Sequence, residues 1–273
     1  MSSPFTAVVI GVGNELLNGR TANTNAQWLC GEIYSLGGLV KRVMTVPDDL
    51  QEIETTLRET LLRRPRWVIT TGGLGPTYDD MTLDGVAAAL GRGLSEDKAA
   101  REMILKRLAG YKVQGRAQPL DFTPERAKMA RIPVGSKPLS NSAGTAPGVL
   151  VELEGTYVAC LPGVPSEMKA IFQEHLAPMM AGNRLKTVTV DTEVRGVPEA
   201  ALAPTLAALA KKYPGIYVKS HPKGFEGVSR VLVQLTGRGE EGVEDVESAR
   251  KELAVVLEGM NATYEMRTIQ DNQ

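Results

Sequence analysis

Short apolar runs alternate with amphipathic segments along most of the chain. Residues 7–12 (AVVIGV) are apolar without interruption, as in a strand buried on both faces of a parallel sheet. Two further runs, 39–46 and 67–71, predict the next strands. Helices are predicted over residues 23–36, from Asp48 or Asp49 to about Leu62, and over 81–90, 97–109 and 166–180. This alternation predicts an α/β fold, a doubly wound, mostly parallel sheet with right-handed crossovers.

A smaller unit follows a candidate boundary at Gly182-Asn183. We expect a first domain over residues 1–182, with a hairpin at 149–153 and 156–161, and a second over 183–273. The second has a pattern of βαββα order, which predicts a small α+β domain. Its predicted elements are strand 187–194, helix 198–211, strands 216–220 and 228–236, and helix 243–257, with a frayed tail from about Met266.

Composition excludes several classes of function. Of the 273 residues, 42 % are hydrophobic and 23 % charged, with a formal net charge of −1, so no broad positive field for duplex nucleic acid exists. Aromatic residues make up 5 %, which disfavours stacking on single strands. The two cysteines lack metal-site spacing, and neither a signal peptide nor an apolar run of membrane length is visible. We therefore expect a cytoplasmic chain with no nucleic-acid and no membrane partner.

The strongest local signal is a glycine-rich segment between a predicted strand and a helix, TTGGLGPTYDDMT over residues 70–82. Glycines let the backbone approach a ligand, and the following helix N-terminus favours an anion. The segment is neither a Walker loop nor a dinucleotide fingerprint. The alternative is a glycine turn without a ligand. Candidate substrate-binding residues here are Gly72, Gly73, Leu74, Gly75, Thr77 and Thr82.

Asp79 and Asp80 follow the glycines where phosphates would lie. Two carboxylates beside a phosphate repel it unless a cation lies between them, so the pair predicts a divalent metal (Mg, Mn or Co) held by Asp79 and Asp80. The alternative is that one of them only caps the helix.

Other polar segments add candidates. The loop after the first strand offers Asn14, Glu15, Asn23 and Asn25, with loop and cap chemistry as the alternative. Two later turns and one predicted basic turn in the second domain complete the set of substrate-binding candidates: Asn141, Gly144, Gly163 and Glu167, then Lys219 and His221 beside Lys223. For the last group the alternative is a solvated surface turn.

In combination, these segments resemble the N-terminal part of the CinA family, which is related to molybdopterin-binding domains of the MoaB/MogA type. The matching pieces, in family order, are GNELLNG at 13–19, NTN at 23–25, TGGLGPTYDDMT at 71–82, NSAGTAPG at 141–148, LPGVPSE at 161–167 and KSHPKG at 219–224. The resemblance implies a Gly-Gly-x-Gly loop followed by Asp-x-Thr, here ending in Asp80 and Thr82. It also implies a second aspartate before a helix, best matched by Asp48, with Asp49 beside it.

The resemblance further implies metal-dependent hydrolysis of ADP-ribose-like pyrophosphates. A nicotinamide mononucleotide deamidase activity of the family belongs to a separate C-terminal domain, for which we expect no room in this chain. Our leading hypothesis is therefore a metal-dependent pyrophosphatase acting on ADP-ribose or a similar nucleotide diphosphate, with Asp80, Asp48 and Glu15 as catalytic residues. The alternatives are a molybdopterin-binding protein of cofactor biosynthesis, or a non-catalytic nucleotide- or pterin-binding module. We expect a homo-oligomer.

Overall fold

A computed structural model describes residues 4–113, 121–183, 185–226 and 228–270. The chain divides into two compact units, Met1–Arg184 and Leu185–Gln273, close to the predicted boundary.

The first unit alternates strands and helices as the apolar pattern predicts. Its strands are β1 Thr6–Val12, β2 Leu39–Val46, β3 Trp67–Thr71, β4 Leu94–Glu96, β5 Arg131–Pro133, β6 Lys137–Leu139, β7 Gly148–Leu153 and β8 Thr156–Leu161. Its helices are α1 Asn14–Leu17, α2 Thr24–Ser35, α3 Leu50–Leu61, α4 Thr82–Ala89, α5 Lys98–Val113, α6 Pro124–Lys128, α7 Pro165–Ile171 and α8 Ala177–Met180, with a π-helical turn over Phe172–Leu176 and a 3-10 turn over Ala181–Asn183.

The central sheet has the order β2-β1-β3-β8-β7-β6. Strands β2, β1, β3 and β8 are parallel, and β7 and β6 add antiparallel strands at one side. Alternate residues of β1 enter two different cores: Val8 and Ile10 pack with α3, α4 and α5, whereas Ala7 and Val9 pack with α2 and α7. Burial on both faces explains the uninterrupted apolar runs and confirms the doubly wound, mostly parallel fold.

The second unit is a four-stranded antiparallel sheet covered on one face by two helices. Its elements are β9 Thr187–Arg195, α9 Glu199–Lys212, β10 Ile216–Glu226, β11 Val228–Arg238, α10 Gly239–Gly259 and β12 Thr263–Gln270, with strand order β10-β11-β9-β12. This is the split βαβ arrangement. Valines and leucines of β9 and β11 pack with α9 and α10, which confirms a smaller α+β unit.

Two predictions for this unit are wrong. The tail from Met266 is not frayed: it belongs to β12, which pairs antiparallel with β9 from Thr263 to Gln270. The basic segment at 219–224 is not a turn either, because β10 continues through it and pairs with β11. Pro222 did not end the strand, since β10 lies at the sheet edge, where a missing N–H can be tolerated.

Candidate functional site

A cleft of about 570 Å³ opens in the first unit at the carboxyl ends of β1, β3 and β8. This is the position where open α/β sheets bind ligands. The walls are formed by the following residues: Val12, Gly13, Glu15, Asp48, Gly72, Gly73, Leu74, Gly75, Pro76, Thr77, Asp79, Asp80, Tyr111, Arg126, Met129, Thr145, Ala146, Pro162, Gly163, Val164 and Glu167.

The glycine loop owes its path to close backbone packing. Gly72 has a φ of 111°, and a Cβ there would lie 2.1 Å from the carbonyl oxygen of Val12. Gly73 has a φ of 65°, and a Cβ would lie 2.3 Å from the hydroxyl of Thr82. Thr82 is fully buried, and its hydroxyl donates to the Gly72 carbonyl at 2.8 Å. Thr82 therefore supports the loop from beneath and does not line the cleft, contrary to its prediction as a substrate contact.

Three successive backbone N–H groups of the glycine loop have no hydrogen-bond partner among the described residues. In the described part of the chain, the N–H groups of Gly73, Leu74 and Gly75 find no acceptor, whereas the N–H of Gly72 donates to the Leu161 carbonyl. All three residues line the cleft. Consecutive unpaired amides can form an anion-binding concavity, and such a concavity suits a phosphate or a similar anion.

Asp79 and Asp80 are organised by Thr77 and not by the helix. The Thr77 hydroxyl contacts both carboxylates, at 2.6 Å for Asp80, and the Thr77 amide donates to Asp80 at 2.8 Å. Helix α4 begins at Thr82, and its N-cap, Met81, provides no side-chain hydrogen bond. The alternative that one aspartate caps the helix is therefore wrong. The hydrogen bond from Thr77 lowers the pKa of Asp79.

The turn between β2 and α3 gives two adjacent aspartates, Asp48 and Asp49, different roles. Asp49 is the N-cap of α3 and accepts the amides of Gln51 and Glu52. Asp48 lines the cleft and accepts the amide of Asn14 at 2.9 Å. The ambiguity between the two is thus resolved by geometry, since only Asp48 reaches the cleft wall.

Asn23 and Asn25 form hydrogen bonds with other parts of the first unit. Asn23 is the N-cap of α2, accepting the Ala26 amide at 3.0 Å. Asn25 donates to the Thr71 hydroxyl at 3.0 Å and to the Gly163 carbonyl at 2.8 Å, which ties the first loop to β3 and the turn after β8. Both side chains border a smaller cavity of about 120 Å³, which shares Val12, Glu15 and Gly163 with the cleft. Glu15 lines the main cleft, and the exposed Asn14 contributes its amide to Asp48.

Asn141, Gly144 and Glu167 form one corner of the cleft. The Asn141 side-chain amide donates to a Glu167 carboxylate oxygen at 2.7 Å. A Cβ on Gly144 would lie 2.0 Å from the same carboxyl group, so glycine makes room for it. Among these three, Glu167 lines the cleft, and the other two hold it in place.

Sequence reasoning missed several cleft residues, among them Tyr111 and Arg126. Residues 110–122 look polar and irregular in the sequence, but α5 extends to Val113 and carries Tyr111 to the wall; residues 114–120 lie outside the described range. Arg126 belongs to the short helix α6, which Thr123 caps. The Thr-Pro-Glu sequence at residues 123–125 could have indicated Arg126, because it marks the start of α6. The start of a helix determines which of its side chains face the cleft.

The comparisons with known proteins agree with this geometry. Residues 8–182 match the family described as a probable molybdopterin binding domain. The chain belongs to this family. It is 46 % identical over 255 residues to a protein of Aeropyrum pernix, covering 92 % of this chain and 91 % of that one, and 39 % identical over 254 residues to one of Sulfurisphaera tokodaii, covering 92 % and 94 %. It is also similar to a solved structure, the protein CinA with unknown function from Thermoplasma acidophilum, with 42 % identity, a TM-score of 0.57, and coverage of 65 % of this chain and 99 % of that chain.

In this molybdopterin-binding domain, the whole cleft lies inside the matched residues. The resemblance to the CinA family is confirmed. Within the four described ranges of the chain, no helix is long and apolar enough to cross a membrane.

The cleft of the molybdopterin-binding domain is rich in carboxylates. Five carboxylates line it, from Glu15, Asp48, Asp79, Asp80 and Glu167. Within the described residues, no three His, Cys, Asp or Glu side chains gather in an arrangement that could hold an ion. A cage of protein ligands is therefore not present there. The donor set fits an ion of the magnesium type, which one or two carboxylates bind together with phosphates of a substrate.

Lys219 and His221 lie in the second unit, on neighbouring same-face positions of β10. The His221 Nε2 atom lies 3.1 Å from Gln234 Oε1, and Gln234 donates to Asp191 at 2.9 Å. These contacts occupy His221 within its own sheet. A ligand role for Lys219 and His221 stays a prediction.

Proposed function

We propose that the cleft binds a small molecule bearing phosphate, of the molybdopterin or related nucleotide class. The observation that carries the proposal is the row of three unpaired amides at Gly73, Leu74 and Gly75 on the cleft wall. Such a row binds phosphate oxygens without a side chain. Membership of the probable molybdopterin binding domain family supports a pterin as the ligand.

Residues on the other walls of the cleft suit the part of such a ligand that carries no phosphate. Tyr111 and Arg126 stand on the cleft wall, with Arg107 over the Tyr111 ring at 4.8 Å and the Arg126 guanidinium donating to the Asp121 carbonyl, and Met129 adds apolar surface. Flat heteroaromatic rings pack on aromatic and guanidinium planes. The cleft volume of about 570 Å³ is in the range of sites that hold cofactor-sized molecules.

A titration tests this proposal. We expect the protein to bind a pterin monophosphate and ADP-ribose, each measured by calorimetry with and without Mg²⁺. Alanine at Gly73 would force its Cβ against Thr82, so the loop must shift and affinity should fall for every phosphate-bearing ligand. A protein that binds neither compound, nor pyrophosphate, would contradict the proposal.

The second candidate is metal-dependent hydrolysis of a pyrophosphate such as ADP-ribose. The observation that favours it is the set of five carboxylates around the amide row, which would repel a phosphate unless a cation neutralised them. Mg²⁺, Mn²⁺ or Co²⁺ bound by Asp80, with Asp79 beside it, would supply that charge and activate a water. Asp48 and Glu15 would complete the catalytic set. The homo-oligomer expected from the sequence is a separate prediction.

Replacement of Asp80 by asparagine tests the hydrolysis hypothesis. Asp80→Asn keeps an oxygen for the Thr77 amide, so we expect normal folding. It removes the charge that a metal needs, so metal-dependent turnover of ADP-ribose should fall by a factor on the order of 100 or more. Binding without metal should survive or tighten because repulsion is lower.

Asp97→Asn is the matched control, because Asp97 also accepts a backbone amide, that of Ala100, and lies outside the cleft walls. Full turnover by Asp80→Asn, or turnover that needs no divalent ion, would refute the metal mechanism. Binding of the pterin phosphate would still support the first proposal.

A further inference from the structure

The π-helical turn Phe172–Leu176 interrupts the helix that begins at Pro165. Its defining hydrogen bond runs from the Ala177 amide to the Phe172 carbonyl, five residues back. Pro178 follows and has no N–H, so the regular i→i−4 bond to residue 174 cannot form. The wide turn therefore accommodates the proline and changes the direction of the side chains that precede it.

Two consecutive polar residues of this turn hold the loop at 140–142. His175 Nε2 lies 3.0 Å from the Ser140 hydroxyl and 3.0 Å from the Ser140 carbonyl oxygen. Because a carbonyl only accepts, His175 Nε2 carries the proton and cannot act as a base towards Ser140. The Ser142 hydroxyl donates to the Glu174 carboxylate. The cluster is therefore an anchor for the loop and not a nucleophilic triad.

Asn141 lies between these two anchored serines, and both polar atoms of its side chain form hydrogen bonds. Its Oδ1 accepts the amides of Ala143 at 3.1 Å and Gly144 at 2.7 Å. Its Nδ2 donates to the Ala146 carbonyl at 2.8 Å and to Glu167 Oε2 at 2.7 Å. Four hydrogen bonds leave Asn141 a single orientation, so the Glu167 carboxylate is held against the cleft wall through it.

The Glu167 carboxylate has unused hydrogen-bonding capacity. It accepts one bond from Asn141 and, among the described residues, forms no salt bridge. A carboxylate can accept about four hydrogen bonds. It repels phosphate and attracts N–H and O–H donors. The Glu167 side chain is half-buried on the wall of the cleft for which we propose an anionic ligand. It is therefore suited to bind a part of that ligand other than the phosphate.

We propose that Glu167 is a specificity-determining residue that accepts two adjacent N–H or O–H donors of the ligand, and that Ser140, Asn141 and His175 are positioning residues for it. This inference rests on the proposed binding of a phosphate-bearing small molecule. Two sources supply such a donor pair: the aminopyrimidinone edge of a pterin and the cis-diol of a ribose. Both present two donors side by side to one carboxylate.

The test compares ligands with and without the donor pair on the full chain. Inorganic pyrophosphate needs only the amide row, whereas a pterin monophosphate and ADP-ribose also carry donors. We expect Glu167→Gln to weaken at least one donor-bearing ligand about tenfold or more and to leave pyrophosphate binding unchanged or tighter. The ligand that loses affinity identifies the source of the donors. Glu152→Gln, an equal charge change near the carboxyl end of β7 and outside the cleft walls, is the control and should change nothing.

Single and double variants test whether the positioning residues act through Glu167. His175→Ala should reproduce part of the selective loss for the donor-bearing ligand, and His175→Gln, which keeps an N–H for the Ser140 carbonyl, should restore it. In the double variant His175→Ala, Glu167→Gln, we expect no loss beyond that of Glu167→Gln alone. Ser142→Ala, at an exposed position, removes the second anchor with little risk to folding and should also act selectively.

The outcomes separate this inference from the proposed function. If the unaltered protein binds no ligand, both fail. If it binds pyrophosphate and a donor-bearing ligand, but Glu167→Gln weakens neither or weakens both equally, Glu167 is not the specificity-determining residue and the proposed function stands. If His175→Ala adds its full loss to that of Glu167→Gln, the positioning role is wrong.

Discussion

Cys160 illustrates how the environment of one residue decides its chemistry. It is fully buried on β8, and its register partner on the neighbouring strand is Thr70. Burial raises the pKa of its thiol to about 11. The thiolate is the reactive form of cysteine, so Cys160 is a packing residue at neutral pH, as expected from the apolar run that it ends.

The raised pKa of Cys160 predicts a pH dependence of stability. The unfolded thiol ionises near pH 9 and the folded thiol near pH 11, so the folded state loses relative stability as the pH rises between these values. From pH 8 to pH 10.5 the free energy of unfolding should fall by about 2 kcal/mol more in the unaltered protein than in Cys160→Ala. Urea unfolding at both pH values measures the difference. Equal losses in the two proteins would mean that Cys160 titrates normally when folded.

Single residues were the scale at which the sequence was least decisive. Asp48 and Asp49 are chemically identical neighbours, and only the path of the chain into α3 makes one a cap and the other a cleft residue. Similarly, Asp80 is one residue too early to cap α4, because the helix begins at Thr82 and its N-cap is Met81. A shift of one or two residues at a helix start changes such roles, and sequence patterns do not resolve boundaries that finely.

Elements were predicted well where burial makes the pattern strong. Strands β1 and β3 are mostly apolar, and all their residues except Thr6 are buried, because both faces of the central sheet are covered. Strand β12 was not predicted, although Tyr264 and Met266 alternate with Glu265 and Arg267. One face of its sheet is open, so half of the strand's residues are charged, and its apolar pattern is weak. The cleft positions of Tyr111 and Arg126 depend on how far α5 and α6 extend, which periodicity alone does not show.

The junction between the glycine loop and α4 is the element on which the site depends. The Thr82 hydroxyl bonds the Gly72 carbonyl in a fully buried position, and the Thr82 amide bonds the Gly73 carbonyl. Thr82→Val keeps the shape but leaves the Gly72 carbonyl without this partner. We expect a loss of about 1–3 kcal/mol of stability, together with weaker binding of pyrophosphate, while Thr82→Ser should retain both.

Thermal unfolding and a pyrophosphate titration of the two Thr82 variants check this prediction. If valine lowered the stability without affecting the affinity, the hydroxyl would support the core but not the loop conformation. If valine retained both properties while serine lost them, the methyl group, and not the hydroxyl, would be important there.

At the scale of the whole molecule, the ligand site and the C-terminal sheet belong to different units. Every residue of the cleft lies between Val12 and Glu167, inside the first unit. The second unit has its own core, formed by β9, β11, α9 and α10. Each unit can bury its own apolar surface, which is the physical condition for units that unfold separately.

Removal of β12 tests this independence. A chain ended after Ala262 leaves the β9 edge unpaired and removes Tyr264 and Met266 from the core of the second unit. We expect the second unit to lose about 3 kcal/mol or more, whereas the first unit keeps its affinity for pyrophosphate. Calorimetry should show one transition lowered and one retained. A chain ended after Gln270 keeps all of β12 and is the control. Unchanged unfolding after Ala262 would mean that the tail contributes nothing, and lost affinity for pyrophosphate would mean that the first unit needs the second to form its site.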